Sequence, residues 1–488
     1  MLSEFFCQAR DRFESVEELV SDWSAPSLTK SVDAFVRNSA SQLEKHLKAI
    51  FPPELVDPLG LTDGSWMDRL TGEQSRLVLA ELEVVSDYQR AHALEMGAKD
   101  TGEYGQAGWA QRRKTTIARE DALSFLSRKA VIPKYGFPVD VVELDTQRIA
   151  TRESRNVALA RDLAIAIGEF APTATLVAGK YEWQSYGLKK VPEKEWERKK
   201  YKVCHKHNLM VTWNEGEAAP SLSCDDPAPE RSYVIPKFGF VTSSRPPKAP
   251  ARRPTRLFTT RPYFLGSVGA GRGEISIDGR KGPIAIIRKA IPGRMAVLCE
   301  GRRARQFYIC GKCGTGLIER PRSPDHKAPW NSDCKGTFGL LSLGHEFVTD
   351  VVQIEFRLAP GPGGANVDLS ALGLGVATAL LEGMAEVVDV PSTDLSVTIG
   401  RGGETGLPVI VLYDAVPGGA GLVARIEAEN VFRRALQAAY SRVEGACGCG
   451  EDASCYGCLR SYRNQFAHTQ LKRGLVKRYI DEALSQFN

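Results

Sequence analysis

The chain has 488 residues, of which 43% are hydrophobic and 25% are charged, and its formal net charge at pH 7 is +5. At about 150 residues per domain this length predicts roughly three domains, and the composition excludes a disordered or low-complexity chain because it matches that of soluble globular proteins. The longest uncharged apolar run in the second half, residues 369–381, is shorter than the roughly 20 residues of a spanning helix, so no membrane segment is expected.

Apolar periodicity divides the chain into three parts. Residues 1–130 have a helical pattern, in which Val78, Leu82 and Val85 are spaced to form one apolar stripe. In residues 131–305 short β-like runs alternate with Gly and Pro, as at 273–279 and 282–287, which predicts a mostly β region with hairpins.

Residues 306–488 are predicted to form an α/β module. Strand-like segments at 347–358 and 408–413 surround a helical pattern at 369–388. A helix from about residue 421 to 443 and a final helix then flank a run of cysteines. The predicted fold class is therefore mixed, α+β, with a helical N-terminal region, a mostly β middle region and a C-terminal α/β module.

Eight of the eleven cysteines follow residue 298. The first residues lack the pattern of an export signal, because Glu4, Arg10 and Asp11 interrupt them, so we expect a cytoplasmic protein. In a reducing compartment, thiols at short spacings more often hold metal than form disulfides. The metal sites are therefore expected in the second half of the chain.

Four cysteines fall within twelve residues near the carboxyl end, at Cys447, Cys449, Cys455 and Cys458. Tetrahedral zinc binds four soft donors about 2.3 Å away, and two close pairs of thiols joined by a Gly-containing loop supply them. The alternatives are four buried free thiols, or a redox-active pair at Cys455 and Cys458 that leaves the first pair unexplained. The sequence predicts a structural Zn2+ site here.

A second cluster consists of Cys310, Cys313, His326 and Cys334. Three thiols and one imidazole also make a closed zinc site, but the Pro-rich segment before Cys334 leaves the fourth ligand open. His345 is the rival to His326, and the simpler interpretation of His345 is a core histidine at the start of a strand. One zinc ion is thus expected and a second is possible, both architectural rather than catalytic because no open coordination position with a nearby base is evident.

The residues Cys204, His205, His207 and Cys224 offer the donors of a third site. Their spacing matches no closed pattern, however, and two solvent-exposed histidines beside ordinary cysteines are the favoured interpretation. No metal is predicted at this position.

The stretch between Arg231 and Glu274 contains no Asp or Glu, and aromatic residues interleave with its basic ones. Such pairing lets a groove follow phosphates and stack bases, which predicts contact with nucleic acid, whereas a Pro-rich solvated linker is the alternative. A second basic run at 189–202 is diluted by glutamates and is expected to be a solvated face. The predicted contact residues are Lys237, Arg245, Lys248, Arg252, Arg253, Arg256 and Arg261.

Residues 411–421 run from a strand through a Gly-rich turn into a helix, whose start could receive a phosphate. No Gly-x-x-x-x-Gly-Lys-Ser/Thr sequence occurs in the chain, so no bound nucleotide and no motor activity are expected. Asp414 is predicted to brace this turn, with a catalytic carboxylate as the alternative, and no catalytic residue is assigned.

Several motifs of the chain occur together, namely 135–138, the pair Cys310 and Cys313, and the segments 343–350, 413–421, 447–459 and 461–468. Together they resemble the zinc-binding domain at the C-terminus of MrfA-type superfamily 2 helicases, which also occurs free-standing as the DrmB protein of DISARM antiphage systems. The resemblance covers about residues 130–487, and by position it assigns the zinc ligands to Cys447, Cys449, Cys455 and Cys458.

The chain departs from this family in lacking the helicase core, including any Asp-Glu-x-His or Asp-Glu-Ala-Asp segment. The resemblance therefore implies a non-ATPase partner of a separate DEAD/DEAH-box helicase subunit, or the detached C-terminal part of such a helicase. Either would act in phage defence or DNA repair, gripping single-stranded or junction DNA through the basic region.

Two other functions stay open at this point. One is a metal-dependent nuclease or other hydrolase that uses Asp414 with His345 or His468. The other is an interaction scaffold in which Arg252, Arg253 and Arg256 contact acidic protein rather than phosphate.

Overall fold

The three largest hydrophobic cores in the described residues of the protein, taken from a computed structural model, are one helical core and two cores built around β-sheets. The mixed fold class predicted from the sequence is confirmed. The structure describes residues 14–487 apart from 26, 51–55, 58, 123–124, 127–128, 130, 132–140, 147–153, 155–156, 191–194, 225, 227, 243–246, 251–256, 269–272, 360–367 and 462–463.

The N-terminal region is helical among its described residues. Its helices are α1 (Val16–Leu19), α2 (Leu28–Asn38), α3 (Ala40–Ile50), α4 (Trp66–Thr71), α5 (Arg76–Asp100) and α6 (Tyr104–Ala118). Buried Glu81 of α5 caps the start of α2, because its carboxylate accepts hydrogen bonds from the backbone N–H groups of Leu28 at 2.7 Å and Thr29 at 2.8 Å.

The apolar stripe predicted on α5 is wrong at one residue. Val78 and Val85 are buried as expected, but Leu82 is 46% exposed. The buried face instead includes Leu77 and Val84, at the spacing of one helix face. Leu82 therefore lies beyond the edge of the buried face.

The middle region contains a five-stranded sheet of order β2-β1-β8-β4-β3. Asp162 caps a short helix, α7 (Leu163–Glu169), by accepting the backbone N–H of Ala164 at 2.9 Å, and this helix interrupts the region predicted as mostly β. The strands up to this point in the chain are β1 (Val141–Asp145), β2 (Ala160–Asp162), β3 (Thr175–Ala178), β4 (Tyr181–Leu188), β5 (Arg198–Cys204), β6 (Leu209–Asn214), β7 (Arg231–Val234) and β8 (Phe240–Thr242).

A second sheet of eleven strands has the central path β10-β11-β16-β7-β5-β6. Its longest strands, β11 and β16, pair antiparallel, so this sheet runs across residue 305. The predicted hairpin at 273–287 is confirmed as β10 paired with β11. The remaining strands are β9 (Arg261–Ser267), β10 (Glu274–Gly279), β11 (Gly282–Cys299), β12 (Phe307–Cys310), β13 (Gly316–Leu317), β14 (His326–Lys327), β15 (Asp333–Cys334), β16 (Phe338–Phe356), β17 (Leu395–Gly402) and β18 (Pro408–Asp414).

Three helices cover the C-terminal part of this sheet: α8 (Leu369–Val388), α9 (Glu429–Val443) and α10 (Arg473–Ser485). Within the part of the chain that the structure describes, α8 alone is long and apolar enough to cross a membrane by length and composition, but 72% of its most apolar window is buried inside the protein. It packs in one core with residues of α9 and α10. We therefore identify α8 as the central core helix of the C-terminal module.

The helix predicted from about residue 421 is wrong at its start. A 3₁₀ segment, Val423–Glu427, comes first, and α9 begins only at Glu429 because Ala428 is extended, with ψ of 123°. The final helix, predicted without bounds, is α10.

Candidate metal centres

The first candidate centre brings together the sulfur atoms of Cys447, Cys449, Cys455 and Cys458, all within 4.8 Å of one another. Neighbouring sulfurs are separated by 3.5 Å (Cys447 to Cys449), 3.7 Å (Cys449 to Cys458) and 3.8 Å (Cys455 to Cys458). A tetrahedron of sulfurs around zinc with bonds of about 2.3 Å has edges of about 3.8 Å. These four residues therefore fit one Zn2+ ion in size and in donor type.

Buried Arg473 of α10 holds this loop in place. Its Nη1 donates to the carbonyl of Val443 at 2.7 Å, and its Nη2 donates to the carbonyl of Cys449 at 3.1 Å. Gly448 has a φ of +75°, which permits the tight turn between the first two cysteines. The end of α9, the cysteine loop and the start of α10 are thus tied to one side chain.

The thiols of this centre have unequal acidities. Hydrogen bonding from the backbone of Cys449 lowers the pKa of Cys447 to about 7, whereas burial raises the pKa of Cys458 to about 12. Zinc binds the thiolate form, so the ion must displace at least the proton of Cys458.

The second candidate centre consists of Cys310, Cys313, His326 and Cys334, with ligand atoms again within 4.8 Å of one another. The sulfurs of Cys310 and Cys334 are 3.9 Å apart, and the sulfur of Cys313 lies 3.2 Å from Nε2 of His326. A Cβ atom at Gly336 would come within 2.6 Å of the sulfur of Cys310. Three sulfurs and one nitrogen fit a closed zinc site.

The ring of His326 is oriented for this role. Its Nδ1 lies 2.6 Å from the carbonyl oxygen of Pro324, and because a carbonyl only accepts, Nδ1 carries the proton and donates. The lone pair of a neutral ring is then on Nε2, which faces the sulfur of Cys313. His345, the rival ligand, instead lies on β16 opposite Val297, where it is buried and stacks on Phe347.

A third group of donors also comes together. Ligand atoms of Cys204, His207 and Cys224 lie within 4.8 Å of one another, although the sequence favoured no metal here. His205, which the sequence grouped with them, instead places Nε2 3.0 Å from a carboxylate oxygen of Glu300.

Asp414 is fully buried at the end of β18 and binds the glycine turn. Its carboxylate accepts hydrogen bonds from the backbone N–H groups of Ala420 at 2.6 Å, Leu422 at 3.1 Å and Val423 at 3.0 Å. Burial nevertheless raises its pKa, against the effect of these hydrogen bonds. His468 lies elsewhere, with Nε2 3.0 Å from the carbonyl of Ser461, and the contacts of Asp414 are those of a residue that braces a turn.

Of the predicted nucleic-acid contacts, Arg245, Arg252, Arg253 and Arg256 lie outside the described residues, as does the motif at 135–138. Lys237 precedes β8 and forms an ion pair with Glu197 at 2.6 Å. Lys248 is exposed, and its carbonyl accepts the N–H of Glu182 on β4. Arg261 begins β9. Contact with nucleic acid at these residues stays a prediction.

The second basic run is paired with carboxylates, but the solvated face predicted there is wrong, because Lys189 is buried and the side chain of Lys199 is only 16% exposed. Lys199 lies 2.7 Å from a carboxylate oxygen of Glu346, and Lys200 lies 2.6 Å from Glu230. These charges are compensated within the chain.

Comparison with known families identifies the segment that carries the first centre. Residues 376–459 match the MrfA Zn-binding domain. The match contains all four cysteines of the first centre and ends before α10. The sequence-based prediction of the MrfA-type zinc-binding family and of zinc as a cofactor is confirmed, whereas the second centre lies outside the match.

Longer similarities extend over most of the chain. The chain is 22% identical over 481 residues to the Druantia protein DruE of Escherichia coli (strain UMEA 4076-1). The alignment covers 89% of this chain and 25% of that protein. The chain thus spans about a quarter of the length of this relative.

Two solved structures are also similar. One is the crystal structure of the helicase MrfA bound to DNA, whose sequence is 14% identical and which superposes with a TM-score of 0.30. The match covers 88% of this chain and 46% of the MrfA chain. The structure of MrfA bound to DNA and AMPPNP is 13% identical and covers 70% and 31%, with a TM-score of 0.24.

Proposed function

We propose that this chain is the zinc-stabilised, non-motor part of a DNA helicase system. The observation that carries the proposal is the tetrahedral group of four cysteines inside the segment that matches the MrfA Zn-binding domain. No Walker sequence occurs in the 488 residues, so we assign ATP hydrolysis to a DEAD/DEAH-box motor outside this chain. That motor is either a separate subunit or the remainder of a longer polypeptide.

The metal is proposed to act through structure alone. Each of the first two centres offers four protein ligands, which fills the tetrahedral coordination of zinc and leaves no position for substrate. Zinc would stabilise the fold there, and this chain's own residues would supply the contact with DNA. Because thiol ligands need reducing conditions, we place the protein in the cytoplasm.

The biological setting that we propose is phage defence or DNA repair. The motifs of the chain resemble a family that includes a DISARM protein. A Druantia protein, in contrast, is similar to 89% of this chain. The match to the MrfA Zn-binding domain supports an MrfA-like helicase system, and the Druantia relative supports a role in defence.

Binding of the purified chain to labelled single-stranded DNA at several salt concentrations tests the proposal. Affinity is expected to fall steeply with salt, because each phosphate contact releases counterions, and ATP with DNA is expected to show no turnover. DNA-stimulated ATP hydrolysis by the pure chain, or the absence of any DNA binding, would contradict the proposal.

A triple variant, Arg252→Gln, Arg253→Gln and Arg256→Gln, tests whether the predicted basic region makes the contact. Its matched control removes the same charge at Arg37, Arg161 and Lys200, which lie outside the predicted contact residues and are paired with Asp33, Glu169 and Glu230. If all three arginines contact phosphates, the log–log salt slope should decrease by about 2 in magnitude in the first variant only. Equal effects in the two variants would assign the binding to overall charge instead.

A further inference from the structure

We infer that Cys204, His207, Cys224 and Asp226 form a third metal site that takes Zn2+. Cys204 is the last residue of β5, and His207 lies in the turn to β6. Cys224 and Asp226 lie on the loop between β6 and β7. The site would therefore join a tight turn to a separate loop, two segments that β-sheet hydrogen bonds do not connect in the described residues.

The distances suit a small tetrahedral ion. The sulfur of Cys204 lies 3.3 Å from Nδ1 of His207, and the ligand atom of Cys224 is within 4.8 Å of both. Oδ2 of Asp226 lies 3.2 Å from the same Nδ1 and 3.7 Å from the sulfur of Cys204. The carboxylate thus approaches two of the three clustered donors and is the nearest candidate for a fourth ligand. Two sulfurs, one nitrogen and one oxygen are a ligand set that zinc accepts.

Charge balance also favours a bound cation. Two thiolates and one carboxylate carry one more negative charge than a divalent ion neutralises. The ammonium group of Lys206 lies 3.8 Å from Oδ2 of Asp226 and would offset that remaining charge. An ion pair between His207 and Asp226 alone would account for the imidazole and the carboxylate, but it would leave the convergence of two sulfurs unexplained.

The site lies where the middle region meets the C-terminal module. Asn208, next to His207, donates from Nδ2 to Oγ1 of Thr398 on β17 at 3.2 Å. Ser223, next to Cys224, accepts at its carbonyl from Nη1 of Arg401 on the same strand at 2.7 Å. A metal that binds the turn and the loop would therefore hold together the two segments that contact β17.

The zinc content of purified, reduced protein tests this inference when the wild type is compared with Cys224→Ser. His205→Gln is the matched control. It removes an imidazole from the same turn, but that imidazole is paired with Glu300 and does not face the proposed metal site. Cys224→Ser is expected to hold about one zinc ion per chain fewer than the wild type, and His205→Gln the same number as the wild type. Equal zinc content in Cys224→Ser and the wild type would overturn the inference.

Alkylation of the wild type provides a measurement that needs no variant to fold. Cys224 is partly exposed, so its thiol should react slowly with an alkylating reagent while zinc is bound and at least tenfold faster after chelation. Cys299, fully buried on β11, serves as an internal reference for global unfolding. A rate at Cys224 that chelation does not change, measured while Cys299 stays protected, would refute the site.

Discussion

The first and second metal centres offer nearly the same donors but differ in what positions them. At the second centre the backbone already fixes the ligands, since β12, which ends at Cys310, pairs with β16. The N–H of Cys310 also donates to the carbonyl of Thr315 at 2.9 Å. The first centre lies in residues 444–461, which are all described and contain neither helix nor strand.

This difference indicates what each ion does. Cys458 and Leu459 of the first centre belong to the core that α8, α9 and α10 share, so the ion there substitutes for regular structure in holding a core segment. The second centre has its own small core of Cys310, Cys313, Ala328 and Cys334. An ion there stiffens a structure that the sheet already supports.

The largest effect is expected from Cys458→Ser, with Cys299→Ser as a control for changing a buried cysteine outside the three centres. Loss of a structural metal belongs to the mutations that cost more than about 4 kcal/mol, and the control should cost about 1 to 2 kcal/mol. Denaturant unfolding measures both values, and hydrogen exchange should localise the loss to 369–388 and 429–443. A similar cost for the two variants would contradict the role given to the first ion.

A smaller and local effect is expected from Cys313→Ser. Because the ladder between β12 and β16 remains, we expect a loss of about 2 to 3 kcal/mol, with faster hydrogen exchange confined to 307–338. If hydrogen exchange also became faster throughout α8, the more local role given to the second ion would be contradicted.

Asp414→Asn tests how the module is held where no metal is involved. The amide replaces one carboxylate oxygen by a donor that faces backbone N–H groups, so a loss of about 2 kcal/mol is expected. Asp350→Asn is the control, since one oxygen of Asp350 accepts the N–H of Gly421 at 2.9 Å, and about 1 kcal/mol is expected there. Cleavage of labelled DNA with magnesium by the wild type, lost in a stable Asp414→Asn protein, would instead support the hydrolase alternative.

An effect that needs no substitution is expected on the pH dependence of zinc affinity at the first centre. The pKa of Cys458 is raised to about 12, so at neutral pH this thiol must release its proton before it binds zinc. Affinity should therefore rise with pH by about tenfold per unit for each proton released, as competition with a chelator at pH 6, 7 and 8 can measure. An affinity independent of pH would mean that the thiols are already ionised without the metal.

Local patterns in the sequence were sufficient for much of this structure. The helix at 369–388, the hairpin of β10 and β11 and both four-residue clusters depend on spacings of a few residues or on strong periodicity, and the structure brings each of them together. The sequence favoured His326 over His345 but left the fourth ligand open, because the carbonyl of Pro324 that orients the ring of His326 is not evident from spacing.

Other features depend on contacts between distant segments. Leu82 is exposed because the neighbouring helices select which face of α5 is buried, and the short apolar run of α7 resembles a buried strand in the sequence. The spacing of Cys204, His207 and Cys224 matches no closed metal-binding pattern, since a whole strand, β6, separates the two halves of the group. The pair Cys204 and His207, at a Cys-x-x-His spacing, was the signal available for it.

X-ray absorption at the zinc edge of the purified, reduced wild type tests most directly whether cysteine clusters hold zinc in this protein. The account predicts tightly bound zinc with a shell dominated by sulfur at about 2.3 Å and a minority of lighter ligands. Protein without zinc, or a shell made only of nitrogen and oxygen, would contradict it.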